Sequence, residues 1–335
     1  MIKSKQILTD SHNRKHNYLR ISLSEKCNLR CTYCMPADGV PLTPRKDLMA
    51  ANEILEIAKV FVQNGVDKIR LTGGEPLVRK DFTDILSKLS SLGTKLSITT
   101  NGILVDRYIE DFKKYGLWDI NFSMDTLVED KFNFITRRTQ FKKAWENLFL
   151  LLDEGFRVKL NVVLMKDFNE DEIVNFIELT RDLPVSVRFI EFMPFNGNKW
   201  NETKLITQQE ILDLVEGHFG KENLFKLEDE KNFTARNYRI KEFRGSFGII
   251  SSVSNPFCDG CNRIRLTANG KIKNCLFSNK EVDLLSAFRN GESLEELIHS
   301  SIFKKKAVRA GMDSFEKFND LERHSNNRSM ITIGG

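Results

Sequence analysis

Tyr18-Leu19-Arg20-Ile21-Ser22-Leu23 runs into Ser24-Glu25-Lys26-Cys27-Asn28-Leu29-Arg30-Cys31-Thr32-Tyr33-Cys34. The first six residues read as a strand. The loop leaving it carries three cysteines in eight positions, spaced Cys-x3-Cys-x2-Cys. Thiolates are the natural ligands of iron–sulfur clusters. Three protein thiolates leave one iron of a four-iron cubane uncapped, and an open coordination position marks a catalytic rather than a structural metal site. Three cysteines this close together on a loop do not suit an apolar core. A structural zinc site is the competing reading.

Outward from this loop the chain alternates. Strands are expected at Tyr18–Leu23, Lys68–Leu71, Lys95–Thr99, Asp119–Met124, Val158–Leu164 and Ser186–Glu191. Helical patterns fall between them at Asn52–Asn64, Asp81–Leu92, Val105–Tyr115, Phe141–Glu154 and Asp171–Arg181. Gly65, Gly93, Gly116 and Gly155 follow four of those helices, where a terminating glycine belongs. Strands alternating with helices imply a parallel sheet with right-handed crossovers. Six such units predict an α/β fold, an incomplete (β/α)6 TIM-like barrel, because a closed eight-stranded barrel needs more.

Beyond Thr207 the rhythm breaks. A helix at Thr207–His218, a charged stretch at Lys221–Lys231 and short strands at Tyr238–Lys241, Phe247–Ile250, Arg263–Leu266 and Lys271–Lys273 predict a smaller C-terminal domain. The expected division is residues 1–230 and 231–335, and Ser325–Arg328 reads as a polar loop.

The other three cysteines lie in that second part. Cys258, Cys261 and Cys275 have spacing Cys-x2-Cys-x13-Cys. A structural zinc site normally wants four ligands, and His218 and His299 stand at irregular spacing. A second cluster with an open iron is therefore favoured over zinc. Arg263 and Arg265 follow Cys261 and, two apart on a strand, face the same side. Their planar guanidinium groups suit phosphate oxygens.

Further polar groups sit where strands should end: Arg70 and Thr72, Thr99 to Gly102, Ser123 and Asp125, and Met193. Ligands of parallel α/β sheets bind at those ends. Asn101-Gly102 reads equally as a turn, and Ser123 and Asp125 equally as helix caps. Gly73-Gly74-Glu75-Pro76 follows the second strand. Its glycines let backbone approach a ligand, and its amides and Glu75 could meet an amino group.

The composition fits an enzyme. The 335 residues suffice for one large α/β domain and a smaller one, and the net charge of +5 is mild and interspersed. No apolar run approaches the roughly 18 residues of a membrane span. Met1–Asp10 carries no apolar signal segment, so a cytoplasmic location is expected. Two clusters of three cysteines argue for metal chemistry rather than disulfides.

The cysteine loop, with Tyr33 before its last cysteine, and the Gly73–Pro76 turn resemble the radical S-adenosylmethionine superfamily. With the second triad the resemblance narrows to the GTP 3′,8-cyclase family of molybdenum cofactor biosynthesis. It is carried also by Leu19–Ser22, Cys34–Pro36, Arg70–Leu77, Arg188–Met193 and the terminal Ile333-Gly334-Gly335. Ser24-Glu25-Lys26 departs from the family's common Thr-Asp-Arg, and Arg137-Arg138-Thr139 is only loosely family-like and receives no role.

The resemblance implies a lyase that converts GTP to 3′,8-cyclo-7,8-dihydro-GTP with two [4Fe-4S] clusters and S-adenosylmethionine. It places the first cluster on Cys27, Cys31 and Cys34, and the second on Cys258, Cys261 and Cys275. Tyr33, Gly74, Ser123 and Met193 would contact S-adenosylmethionine. Arg20, Arg70, Thr99, Lys159, Arg263 and Arg265 would contact GTP, and Gly334 and Gly335 would reach the cavity. Implied partners are an electron donor such as flavodoxin or ferredoxin, cyclic pyranopterin monophosphate synthase downstream, and a second copy as a homodimer. No nucleic-acid polymer or membrane is expected. Two alternatives stay open: a radical enzyme acting on a peptide or other small molecule with an auxiliary cluster, and a non-enzymatic zinc module.

Overall fold

The computed structural model describes residues 7–36, 39–198, 200–229 and 231–334. Its first half alternates β1 (Tyr18–Ser22), α1 (Ala51–Gln63), β2 (Lys68–Thr72), α2 (Phe82–Ser90), β3 (Lys95–Thr100), α3 (Ile109–Lys114), β4 (Asp119–Ser123), α4 (Glu129–Thr136), α5 (Phe141–Asp153), β5 (Arg157–Leu164), α6 (Ile173–Asp182) and β6 (Ser186–Glu191). The six expected strands are all present, and β1 to β6 pair in parallel in chain order. The helix expected over Val105–Tyr115 is broken at Tyr108, where φ is −124°. A 3-10 turn there precedes α3.

Strand residues alternate strictly between two faces. Leu19, Ile21, Ile69, Leu71, Ile98, Ile120, Leu160, Val162, Val187 and Phe189 point outward and are fully buried under the helices. The helices meet them with apolar stripes at helical spacing, such as Ile54, Ile57, Ala58 and Phe61 on α1 and Phe82, Ile85, Leu86 and Leu89 on α2. The glycines that end these helices take left-handed φ, as at Gly93 (+65°) and Gly155 (+79°). The other face of the strands is polar. It carries Arg20, Arg70, Ser97, Asn121, Asn161 and Arg188, one step out of phase with the apolar set. A barrel filled by its own side chains would be apolar on this face. This one surrounds a cavity.

The second half contributes α7 (Gln208–Phe219), β7 (Leu224–Lys226), β8 (Arg236–Ile240), β9 (Ser246–Ile250), β10 (Arg263–Leu266), β11 (Lys271–Lys273), β12 (Val282–Asp283), α8 (Leu284–Arg289), α9 (Leu294–Phe303) and the short helices α10 (Phe315–Asn319), α11 (Glu322–Ser325) and α12 (Met330–Ile333). Its strands extend the barrel sheet at both edges, in the order β12-β11-β10-β1-β2-β3-β4-β5-β6-β9-β8-β7. β10 joins β1 and β9 joins β6, both in parallel. The six-strand arc is thereby lengthened to eight parallel strands, with an antiparallel pair beyond each end. This topology carries the second cysteine group and both following arginines to the strand that bears the first group.

Candidate active site

All six cysteines line one cavity of about 330 Å³ at the carboxyl ends of the parallel strands. All six are free thiols. Tyr33, Gly74, Ser123 and Met193 line it, as do Arg20, Arg70, Thr99, Arg263 and Arg265. Lys159, on the inner face of β5 beside Asn121 and Ser186, is not among the lining residues.

The loop after β1 is held by the loop after β2. The Gly74 amide donates to the Ser24 carbonyl at 2.6 Å and the Glu75 amide to the Lys26 carbonyl at 2.9 Å. A Cβ on Gly74 would stand 2.6 Å from that Lys26 oxygen. The glycines therefore permit close approach of backbone to backbone, and these two amides are not available to a ligand as the sequence suggested. Glu75 is likewise committed. Its carboxylate accepts from Thr100 Oγ1 (2.9 Å), the Asn101 amide (2.8 Å) and the Leu77 amide (3.1 Å). Burial pushes its pKa up to about 7 against those donors.

Two polar side chains then orient the cysteine loop. Asn101 Nδ2 donates to Asn28 Oδ1 at 2.8 Å and lies 3.8 Å from Cys27 Sγ. The Tyr33 hydroxyl donates to Asp125 Oδ2 at 2.7 Å, and Asp125 Oδ1 accepts from the Val163 amide at 2.8 Å. Asp125 is thus a brace between strand ends, not a helix cap, and burial raises its pKa to about 6.

The three thiols in this loop fit a cationic iron cluster. Burial and the nearby Glu75 push Cys27 up to about 11, and burial and Cys27 push Cys34 up to about 12. Burial, Asp125 and the two companion thiols raise Cys31. Without a cation these groups stay protonated; a bound metal reverses that preference. Among the described residues, no three Cys, His, Asp or Glu side chains converge as on a single ion. Ligands to separate irons of a cluster are spread more widely than the four ligands of one zinc.

The second triad sits in a different field. Burial would raise Cys261, but Lys305 and Arg263 overcome it and hold the thiol at about 5. His299 bonds Asn64 at 2.9 Å and His218 packs on Phe219, so neither histidine supplies a fourth zinc ligand here.

Between the triads stands a row of cations. Arg70, Arg20 and Arg265 are direct partners across β2, β1 and β10. Burial, Arg70 and Arg263 push the pKa of Arg20 down to about 10; burial, Arg20 and Arg263 push that of Arg265 down to about 9. Arg20 Nε, Arg70 Nε and Thr99 Oγ1 are buried without a hydrogen-bond partner among the described residues. Buried donors in that state await an acceptor. Arg188 also lines the cavity. The reading of motifs gave it no role, although alternation along β6 puts it on the cavity face. Asn101, Asn161 and Arg309 line it too.

The chain's last segment lines the cavity as well. Arg328 pairs with Glu281 at 2.7 Å, and Asn327 Oδ1 accepts from buried Lys273 at 2.9 Å, so this stretch is anchored rather than a free polar loop. Met330 and Ile331 line the cavity, and the Gly334 carbonyl accepts from Arg265 Nη1 at 2.8 Å. Gly335 lies outside the described residues.

The Radical SAM superfamily model matches residues 21–180, and the Molybdenum Cofactor Synthesis C model matches residues 185–310. The Streptococcus suis protein SuiB superposes with a TM-score of 0.60 over 88% of this chain and 70% of its own, at 18% identity. An α/β sheet with a cysteine triad on the loop after its first strand defines a radical S-adenosylmethionine protein. Within that class the chain belongs to the GTP 3′,8-cyclase family. It is 41% identical to the GTP 3′,8-cyclase of Alkaliphilus oremlandii over 98% of its length and 100% of that protein. It is 47% identical to the mitochondrial GTP 3′,8-cyclase of Arabidopsis thaliana over 98% of its length and 84% of that protein. The mouse molybdenum cofactor biosynthesis protein 1 is 48% identical over 98% of this chain, which spans about half (51%) of that relative.

Proposed function

We propose that the chain binds GTP and S-adenosylmethionine in this one cavity and closes GTP to 3′,8-cyclo-7,8-dihydro-GTP, the first step of molybdenum cofactor biosynthesis. The observation that carries the reading is the in-register row Arg70–Arg20–Arg265 between two thiol triads. A triphosphate brings about four negative charges, and buried guanidinium groups, with Nε of Arg20 and of Arg70 lacking an acceptor among the described residues, suit its oxygens.

Cys27, Cys31 and Cys34 would hold a [4Fe-4S] cluster, and Cys258, Cys261 and Cys275 a second. The first, when bound, supplies the electron that cleaves S-adenosylmethionine to a hydrogen-abstracting carbon radical. The chain's own groups do the rest. Tyr33, Gly74, Ser123 and Met193 line the cavity and would position the sulfonium cosubstrate at its first-triad end. Arg20, Arg70, Thr99, Lys159, Arg263 and Arg265 would bind GTP and fix its ribose toward that end. The anchored Met330–Gly334 segment would help keep water from the reacting atoms. An electron donor such as flavodoxin or ferredoxin would feed the first site, and cyclic pyranopterin monophosphate synthase would take the product. No described helix is long and apolar enough to cross a membrane, and six free thiols suit a reducing, cytoplasmic setting.

The test is anaerobic. Reconstituted protein should hold about eight irons and, with dithionite, should consume GTP and S-adenosylmethionine and release 5′-deoxyadenosine with a cyclised nucleotide. Release of 5′-deoxyadenosine with GTP untouched would overturn the substrate assignment.

A further inference from the structure

The two triads differ in what donates to their sulfurs. Around Cys27 the donors are neutral, the Leu29 amide at 3.4 Å and Asn101 Nδ2 at 3.8 Å. At the second triad a cation does so: Lys305 Nζ stands 3.2 Å from Cys261 Sγ. Lys305 is only 3% exposed, and its ammonium also donates to the Arg263 carbonyl at 3.0 Å. A buried lysine aimed at a sulfur is costly unless the sulfur carries negative charge.

The segment that presents Lys305 is held on both sides. Arg14 grips it from the N-terminal turn, donating to the carbonyls of Lys306 (2.8 Å), Ala307 (2.7 Å) and Cys258 (2.9 Å). Further along, Arg309 and Ala310 take left-handed φ of 37° and 59° although neither is glycine. Such strain persists only where the surroundings over-determine it. Here Arg309 bonds the carbonyls of Met312 (3.0 Å) and Val253 (3.1 Å) and stacks over Phe318 at 4.4 Å. One short strap, residues 305–310, is thus held in place and presents Lys305 to the Cys261 sulfur.

We propose that Lys305 is a positioning residue of the second centre: its ammonium fixes the Cys261 sulfur for iron and raises the reduction potential of the cluster held there. The inference rests on the second-cluster reading above. Hydrogen bonds to cluster sulfurs and nearby net charge set iron–sulfur potentials. A cation favours the more negative, reduced state, and among the described donors to the first-triad sulfurs none is charged; Arg30, which acts on Cys27 only through space, donates to Met35 Sδ at 2.7 Å.

The experiment uses the full chain with Cys27, Cys31 and Cys34 all replaced by alanine, so that any cluster present is the second one. Iron content and a potentiometric titration followed by electron paramagnetic resonance are measured with Lys305, Lys305→Arg, Lys305→Gln and Lys305→Met. At the potential where the Lys305 protein is half reduced, Lys305→Met should show an about tenfold lower ratio of reduced to oxidised cluster, equal to about 59 mV for one electron. Lys305→Gln should fall between, and Lys305→Arg should stay near the parent. A lower melting temperature with an unmoved midpoint means a structural lysine and overturns the proposal. Should Lys305→Met fail to hold iron, equal midpoints for Lys, Gln and Arg overturn it instead. A triple-alanine parent that binds no iron sinks the second-cluster reading itself, and this inference with it.

Discussion

Arg20 and Arg265 are direct partners on neighbouring parallel strands, two guanidinium groups on one face of β1 and β10. Arg20 lowers the pKa of Arg265 in addition to the effect of burial, so the empty protein carries a like-charge contact that a polyanion would relieve. Arg20→Met should therefore have opposite effects on two measurements. The melting temperature of the nucleotide-free protein should not fall. The GTP affinity, read by calorimetry, should fall by about 2 kcal/mol, roughly 30-fold in Kd. A purely structural arginine gives the reverse pattern, a lower melting temperature with unchanged affinity.

The two triads should load and fail independently. Cys27→Ser should remove about four irons and abolish 5′-deoxyadenosine release while GTP binding persists. Cys258→Ser should remove the other four or so and leave reductive cleavage of S-adenosylmethionine, but no cyclised nucleotide should form. Iron analysis with product chromatography reads both. Zinc in place of iron in anaerobically prepared protein would contradict the expectation for either triad.

Gly334 sits at φ +88°, and a Cβ there would lie 2.6 Å from Thr72 Oγ1 and 2.9 Å from Ser22 Cβ. Gly334→Ala thus meets both a disfavoured backbone region and two strand ends. The displacement costs about 1–3 kcal/mol and breaks the Arg265–Gly334 bond. We expect faster hydrogen exchange at residues 330–334 and about tenfold less cyclised nucleotide at unchanged 5′-deoxyadenosine release. Unchanged exchange in that segment would mean that the tail tolerates the methyl group and that Arg265 does not depend on it.

Much of this was legible in local sequence. β1 reads as a strand because Leu19 and Ile21 alternate with Arg20 and Ser22, and the cysteine loop follows it without a break. Strand partners are not local. Nothing in Arg263–Leu266 says that it joins β1 rather than forming a separate sheet, and the junction is a tertiary outcome. The same limit explains Glu75. Its motif points to a ligand, yet Thr100 and Asn101, which meet it only in the fold, take its carboxylate together with the neighbouring Leu77 amide. α8 and α10 to α12 are four to six residues long, too short for a helical period to register. Arg188 was readable, since alternation along Ser186–Glu191 assigns it to the polar face.

His16 and Asp10 set how the apo fold responds to acid. His16 is fully buried, and its Nε2 lies 3.0 Å from Asp10 Oδ2 while Nδ1 has no hydrogen-bond partner among the described residues. The neutral tautomer with the proton on Nε2 satisfies that geometry. Burial, with Lys305 nearby, pushes His16 down from 6.5 to about 4, against the pull of Asp10. The unfolded chain therefore takes up a proton through the pH window from 6.5 to about 4 that the folded chain refuses. Stability is complete above the upper limit and falls as pH drops through the window, by about 3 kcal/mol in total. Below it Asp10 adds a further loss, because hydrogen bonds from His16 and Arg14 outweigh burial and hold it at about 2, under its ordinary 3.8. Urea unfolding of metal-free protein at a series of pH values should show this slope, and His16→Gln should flatten the part between about pH 6.5 and 4. An equal slope in that variant would locate the acid sensitivity elsewhere in the chain.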